Sequence, residues 1–483
     1  MPEPTPAELA AAIQRLARAS VLVIGDAMLD RYVYGAVERI SPEAPVPVLA
    51  VQREIALPGG AGNVVRNLGA LGAAVAFVSV VGDDQAGSDL TGLIGGQPGV
   101  EPWLLVQGSR ITTTKTRFVA EGLCLPGHAL LRADREDARP VHPKLMERLL
   151  RIARDGMAAT TVTLLSDYRK GVLAEDIPAR LIAAARAAGR RVVADLRGAD
   201  YARYAGADVI VTTGRDLAAS AGLADMGEAA IAEAAAALRA RHGFAGVLVT
   251  RAPDGMTLAE AGGVRHFGAE AIEVFDMAGA GDTVVATLAA GLAAGLDLAI
   301  AARLAGVAAG VVVGRIGTAV ARPHDLLAAI GPQAGALRKI VGAELAAERC
   351  ARWRRQGLRI GFTHGGFDPL RPGHVHLLEQ ARGACDRLVV GLESDATRQR
   401  AKGAGRAVQP EAVRAARLAS LPCTDLVVVY GEDDPAELLR ALRPELLVNG
   451  ADRPPEQVAG AEMLQEWGGR VMLAEMLPET AGE

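Results

Sequence analysis

Aromatic residues are scarce: 3 Trp, 6 Tyr and 7 Phe make up 3% of 483 residues, although half the chain is hydrophobic. Its cores must therefore be built from Ala, Val, Leu and Ile. Cysteine is nearly absent as well. Cys124, Cys350, Cys385 and Cys423 lie far apart without metal-ligand spacing, and read as reduced thiols of a cytoplasmic protein. A net charge of −4 on so long a chain argues against a nucleic-acid-binding face. The N-terminus has no basic stretch followed by an apolar run, so no signal peptide is expected. The longest uncharged apolar-rich run, Thr283 to Leu296, falls short of the ~18 residues that suggest a membrane span. What remains is a chain long enough for roughly two to four ordinary domains.

Short aliphatic runs alternate with Ala-rich helical patterns. Val21–Gly25, Val75–Val81, Thr161–Ser166, Arg191–Asp195, Val209–Thr212 and Gly246–Thr250 read as buried strands. The alternation predicts α/β architecture with a mainly parallel sheet. Pro323 marks its end. Residues 331–356 are charged, lack a strand signal and read as a helical connector. A second alternation follows: Arg359–Thr363, Arg387–Leu392, Asp425–Tyr430, Leu446–Asn449 and Arg470–Leu473. It predicts one small doubly wound domain. The expected division is 1–330, a linker over 331–356, and 357–483.

The run Asp276-Met277-Ala278-Gly279-Ala280-Gly281-Asp282-Thr283 carries the most chemistry. A turn of small residues feeding a helix leaves backbone N–H groups aimed at one point, which suits a phosphate. A carboxylate in the first helical turn, Asp282, is placed to take a proton from an attacking hydroxyl. Upstream, Asp26 and Asp30 follow the first strand, where α/β sheets put ligand contacts. Gly59 and Gly60 allow close approach of a ligand to the backbone, with Asn63 and Asn67 just beyond.

The order Gly-Asp…Asp, Gly-Gly…Asn, Asp…Gly-Ala-Gly-Asp resembles the ribokinase-like (PfkB) sugar kinases over roughly residues 15–325. The resemblance implies Asp282 as catalytic base, Gly279, Ala280 and Gly281 as anion hole, and Asp26, Asp30, Gly59, Gly60 and Asn63 as sugar contacts. The segments Asp30–Gly35, Arg39–Val48 and Leu165–Tyr168 are similar to the heptose-7-phosphate kinase branch. Thr250, Arg251 and Gly255 then fall on the nucleotide side. Basic contacts for a sugar phosphate are sought among Arg31, Arg39, Lys115, Arg132, Lys170 and Arg197. Two departures stand out. Gly214 and Leu217 occupy the key places of the family's Asn-x-x-Glu segment, where Asp216 is a nearby substitute, and Gly306 stands where an Asn often lies near adenine.

In the second half, Phe362–His374 follows a strand, opens a helix and resembles the cytidylyltransferase-like signature. By that resemblance Thr363, Gly365, Phe367, Arg371 and Lys402 bind nucleotide and His374 is catalytic, its donor stabilising charge on a five-coordinate phosphorus. Arg371 replaces the first histidine of the signature, and an arginine matches neither the shape nor the titration of imidazole. His364 stands where Asn is usual, and Asn449 where lysine is common. The family's closing Ser/Thr-rich segment would begin near Leu477–Glu483.

Domain order resembles the bifunctional heptose-7-phosphate kinase/heptose-1-phosphate adenylyltransferases. The resemblance implies a ribokinase-like domain followed by a smaller Rossmann-like nucleotidyltransferase domain. ATP and Mg2+ are the expected cofactors, a sugar phosphate the partner, and a cytoplasmic homodimer the expected state; no metal ligand is assigned. Two readings stay open beside it: a single-activity sugar-phosphate kinase with a degenerate second domain, and a non-catalytic sugar-phosphate or nucleotide-binding regulator.

Overall fold

The computed structural model describes residues 4–120, 128–224, 227–269, 276–315, 317–331, 336, 339–402, 409–431, 435–450 and 460–475. It divides into two compact units, Met1–Ala328 and Ala329–Glu483.

In the first unit the described strands are β1 (Ser20–Gly25), β2 (Ala27–Ile40), β3 (Pro47–Gly60), β4 (Ala74–Gly82), β5 (Val100–Gln107), β6 (Thr114–Ala120), β7 (His128–Arg135), β8 (Val162–Asp167), β9 (Arg191–Leu196), β10 (Val209–Thr213), β11 (Gly246–Thr250), β12 (Met256–Glu260) and β13 (Gly263–Phe267). Among the described residues, nine form one sheet in the order β13-β12-β11-β10-β9-β8-β1-β4-β5. The sheet is parallel from β5 through β11, and β12 and β13 add antiparallel to its edge. Val21, Leu22, Val23 and Ile24 are all fully buried, as a central strand covered on both faces requires. All six expected strands are present, each within one residue at either end.

The chain winds outward from β1 to β4 and β5, then returns to β8 on the other side of β1. That reversal opens a crevice beyond the carboxyl ends of β1 and β8, the usual ligand position of such sheets.

A second sheet, β3-β2-β6-β7, carried no strand signal in the sequence. Asp30 and Arg31 interrupt the apolar alternation of β2, yet antiparallel pairing with β3 and parallel pairing with β6 hold it extended. Asp30 therefore lies within a 14-residue strand rather than in a loop.

The second unit has β14 (Ile360–Gly365), β15 (Arg387–Glu393), β16 (Leu426–Tyr430), β17 (Leu446–Gly450) and β18 (Arg470–Ala474) in the parallel order β16-β15-β14-β17-β18. All five strands match expectation. The region expected as a helical connector is helical over Ala343–Arg355 but belongs to the second unit. Helix Ala343–Arg355 buries Ala346 and Cys350 completely against Ile360 and Phe362, with Trp353 packed alongside. Those three positions share one helical face, an apolar stripe hidden in sequence by the charges around it. No described helix is long and apolar enough to cross a membrane.

Candidate active sites

In the first unit, helix Ala280–Ala293 begins at Gly279, whose φ of 80° is left-handed. A Cβ there would lie 2.7 Å from Asn63 Nδ2, so the position suits glycine on two counts. Asp276 shapes the turn rather than facing the cleft: its carboxylate accepts from the N–H groups of Ala278 (2.8 Å) and Gly317 (3.2 Å). The N–H of Ala280 turns back to the carbonyl of Met277 at 3.3 Å. Gly281 and Asp282, in the first turn, precede any carbonyl they can reach within the helix.

Asp282 is 8% exposed. The hydroxyl of Tyr168 donates to its Oδ1, and Asn63 Nδ2 donates to Oδ2 at 2.7 Å. Burial pushes its carboxyl above the ordinary range, while Tyr168, Asn63 and Arg197 pull the other way. Asn67 supports the arrangement. Its Nδ2 donates to the Asn63 carbonyl at 2.9 Å, and its Oδ1 accepts from Thr283 Oγ1 at 2.9 Å. Helix Ala61–Ala70 is thereby fastened to helix Ala280–Ala293.

A cleft of ≈ 250 Å³ opens here, lined by Met28, Asp30, Gly60, Lys115, Arg117, Tyr168, Arg197, Met277, Gly279, Gly281, Asp282 and Thr318. Asp30, Gly60, Gly279, Gly281 and Asp282 thus come together as expected. Gly59 stands behind them, where a Cβ would meet Asp30 Oδ2 at 2.5 Å.

Asp26 has a different job from the sugar contact expected of it. Fully buried, it accepts from the N–H groups of Tyr168 (3.0 Å), Lys170 (2.9 Å) and Val172 (3.0 Å). Burial pushes its carboxyl up to about 6 against those bonds.

Of the basic candidates, Lys115 and Arg197 line the cleft. Arg31 pairs with Asp89 (2.8 Å), Arg132 with Asp134 (2.9 Å) and Lys170 with Glu136 (2.6 Å), while Arg39 is exposed on β2. Arg117, bonded to Asp30 at 3.1 Å, was missed. Its spacing of two from Lys115 puts both on one face of β6, a signal legible only once that segment is read as a strand.

Thr250, Arg251 and Gly255 lie at the β11–β12 turn, outside the lining of this cleft. Thr250 Oγ1 donates to the Thr212 carbonyl (3.3 Å), Arg251 pairs with Glu228 (2.9 Å), and Gly255 takes a φ of 84°. Asp216 Oδ2 accepts from Thr213 Oγ1 at 2.8 Å at the start of its helix, and Leu217 is core at 1% exposure. The place of the family's glutamate is therefore apolar. Gly306 backs onto Met256, whose Cε would lie 3.1 Å from a Cβ there. Among the described residues, no group of three or more His, Cys, Asp or Glu side chains converges on a point that could hold a metal.

In the second unit, β14 delivers a loop to the N-terminus of helix Pro372–Gly383. Thr363 is buried, Gly365 ends the strand, and Phe367 takes a φ of 44° with its ring edge-on to His374 at 5.4 Å. His374 Nδ1 accepts the Arg371 N–H at 3.0 Å. The acceptor role leaves Nε2 as the protonated, donating nitrogen of the neutral ring. Burial, then the charge of Arg371, hold the His374 pKa below its ordinary value.

Arg414 organises the loop from beneath. Its side chain is wholly buried and donates to the carbonyls of Gln409, Gly366 and Glu393, each at 2.8 Å, and to Asp395 at 2.7 Å. Arg398, paired with Glu393 at 3.1 Å, crosses Gly366 so closely that a Cβ there would meet Nε at 2.4 Å. His364 faces Tyr430, ring nitrogen to hydroxyl, at 3.3 Å. The side chain of Lys402 and all of Leu477–Glu483 lie outside the described residues.

Comparison with known proteins agrees with both halves. The pfkB family carbohydrate kinase profile matches residues 18–325, and the cytidylyltransferase-like profile matches 362–474. A protein of Acidiphilium cryptum called "Bifunctional protein HldE" is 63% identical over 99% of this chain and 97% of its own length. One of the same name from Paramagnetospirillum magneticum is 52% identical over 97% of this chain and 96% of its own. Among solved structures, phosphofructokinase-2 from Escherichia coli in complex with potassium covers 65% of this chain and 99% of its own, with a TM-score of 0.54 and 18% identity. Arabidopsis thaliana ribokinase complexed with ribose and ATP covers the same 65% of this chain and 98% of its own, with a TM-score of 0.51 and 21% identity. These two likenesses establish the fold of the first unit.

Proposed function

The chain belongs to the bifunctional heptose-7-phosphate kinase/heptose-1-phosphate adenylyltransferases, a pfkB carbohydrate kinase joined to a cytidylyltransferase-like unit, and we propose how its residues divide that work. The single-activity and non-catalytic readings are not favoured.

In the first unit Asp282 takes the proton from the anomeric hydroxyl of heptose 7-phosphate as that oxygen attacks the γ-phosphorus of Mg-ATP. One P–O bond forms as the bond to the ADP oxygen breaks. The turn Gly279-Ala280-Gly281 presents the positive end of the helix to the transferring group, with the N–H of Gly281 a more direct donor than that of Ala280. Lys115, Arg117 and Arg197 supply the positive wall that phosphate oxygens require, and Asp30 accepts from sugar hydroxyls. Positioning and electrostatics carry most of the rate in this chemistry. The observation that bears most weight is the carboxylate at a helix N-terminus, held at both oxygens in a cleft with a basic wall.

In the second unit heptose 1-phosphate attacks the α-phosphorus of ATP and pyrophosphate leaves. His374 Nε2–H donates to the charge building on that phosphorus, and Arg371 adds a fixed positive charge beside it. Thr363, Gly365 and Phe367 shape the approach, and Lys402 completes the nucleotide contacts. Both steps consume ATP, which fits a cytoplasmic enzyme. A homodimer remains part of the proposal, to be checked by light scattering.

The decisive experiment supplies the two sugars separately with Mg-ATP and follows products by mass spectrometry. Heptose 7-phosphate should give the 1,7-bisphosphate, and heptose 1-phosphate should give ADP-heptose with pyrophosphate. Product from neither sugar would overturn the assignment.

A further inference from the structure

Tyr168 is held in place from three sides. The loop that carries it leaves β8 and is tied to the buried Asp26 carboxylate by the N–H groups of Tyr168, Lys170 and Val172, at 2.9–3.0 Å. Its ring lies under Arg197, whose guanidinium carbon is 5.0 Å from the ring centroid and whose Nη1 pairs with Asp195 at 3.1 Å. Its hydroxyl donates to Asp282 Oδ1, while Asn63 occupies Oδ2.

We propose that Tyr168 is a positioning residue of phosphoryl transfer, fixing the orientation of the Asp282 carboxylate and setting how readily that carboxylate takes a proton. The proposal rests on the reading of Asp282 as the base. A hydrogen bond donated to a carboxylate favours its ionised form. Tyr168 therefore offsets part of the burial that would otherwise leave the base protonated. Asn63 on its helix and Arg197 beyond β9 act in the same direction, and Asp30 on β2 opposes them. Lys115 and Arg117 face the cleft from β6, and Asp195 stands behind Arg197. Burial, and then the Asp282 charge, push the phenol well above its ordinary pKa, so it remains a donor across the working pH range.

The test is the pH profile of kcat/KM for the kinase step, measured on the full chain for wild type, Tyr168→Phe, Asp282→Asn and a variant with 3-fluorotyrosine at position 168. A hydrogen bond to a charged group is worth enough to move a pKa by about one unit. Tyr168→Phe should therefore move the acid limb up by about one unit, a roughly tenfold loss on the acid side that is largely recovered at alkaline pH. Fluorotyrosine, a stronger donor of nearly the same shape, should move the limb down, which guards against a folding defect in the Phe variant. A limb that moves in neither variant overturns the role of Tyr168. Sustained turnover in Asp282→Asn overturns instead the reading of the base on which it rests.

Discussion

Asn63 Nδ2 lies 2.7 Å from Asp282 Oδ2, a bond between residues 219 apart in the sequence. It joins the helix that follows the Gly-Gly segment at the end of β3 to the helix that carries the proposed base. Asn67, one turn beyond Asn63, and Thr283, the residue after Asp282, repeat the link at 2.9 Å. The proposed sugar side and phosphate side of the cleft are thus joined by hydrogen bonds, and small changes in either should be felt in both.

Asp282→Asn keeps the shape and removes the proposed base. Kinase turnover should drop by roughly 10²–10⁴-fold while adenylyl transfer is unchanged. In the wild type the base works ionised, so kinase activity falls as pH drops through its pKa. Because burial raises that pKa, the acid limb should lie above the ordinary carboxylate range. Parallel pH-rate profiles of the two activities check both points.

Gly279→Ala should disturb the site without touching a reacting group. The left-handed φ of 80° costs about 1 kcal/mol for alanine, and the new Cβ would lie 2.7 Å from Asn63 Nδ2. Gly281→Ala has room, its Cβ meeting only Arg197 at 3.6 Å. The expected order of both melting temperature and kinase kcat is wild type, then Gly281→Ala, then Gly279→Ala.

Asp26→Asn leaves at least one of three backbone N–H groups facing an amide NH2 instead of a carboxylate oxygen. The cost should be about 1–3 kcal/mol, with faster amide exchange at residues 168–172. The Asp26 carboxyl, pushed up to about 6 by burial, takes up a proton on folding. Its contribution to stability is therefore present below the unfolded pKa of about 4 and lost as pH rises through about 6. Urea titrations across that window should show the component in wild type and lack it in the variant.

His374→Ala should abolish most adenylyl transfer, read as pyrophosphate release, and leave the kinase rate alone. Arg371→His should raise adenylyl transfer if imidazole shape limits it, since the donor at position 371 is backbone and survives the change.

Arg414→Met should unfold the second unit selectively. It strands three carbonyls, each costing about 1–3 kcal/mol where water cannot replace the donor, and takes the partner from the part-exposed Asp395. Of the three tryptophans, Trp353 and Trp467 lie in the second unit. Fluorescence-monitored unfolding in a Trp103→Phe background reports that unit alone.

Strands such as Val21–Gly25 and Gly246–Thr250 were legible because a strand buried on both faces must be a short aliphatic run, whatever surrounds it. The β2–β3–β6–β7 sheet was not, because Asp30, Lys115 and Arg117 are cleft residues and break the alternation that betrays a strand. Helix Ala343–Arg355 was mistaken for a connector for the opposite reason, its charges outnumbering a narrow apolar stripe.

By itself the sequence determined the two α/β units, their order, the Asp276–Thr283 turn and the histidine at the head of the second site. Those are local properties: strand runs, glycine turns and helix starts are written in neighbouring residues. Tertiary structure alone decided who surrounds them. It brought Asn63, Tyr168 and Arg197 to Asp282, withdrew Asp26 to hold a loop, and aimed Lys115 and Arg117 into the cleft. Burial and hydrogen bonding across long separations set the proton affinity and aim of a carboxylate, and neither is encoded in its neighbours along the chain.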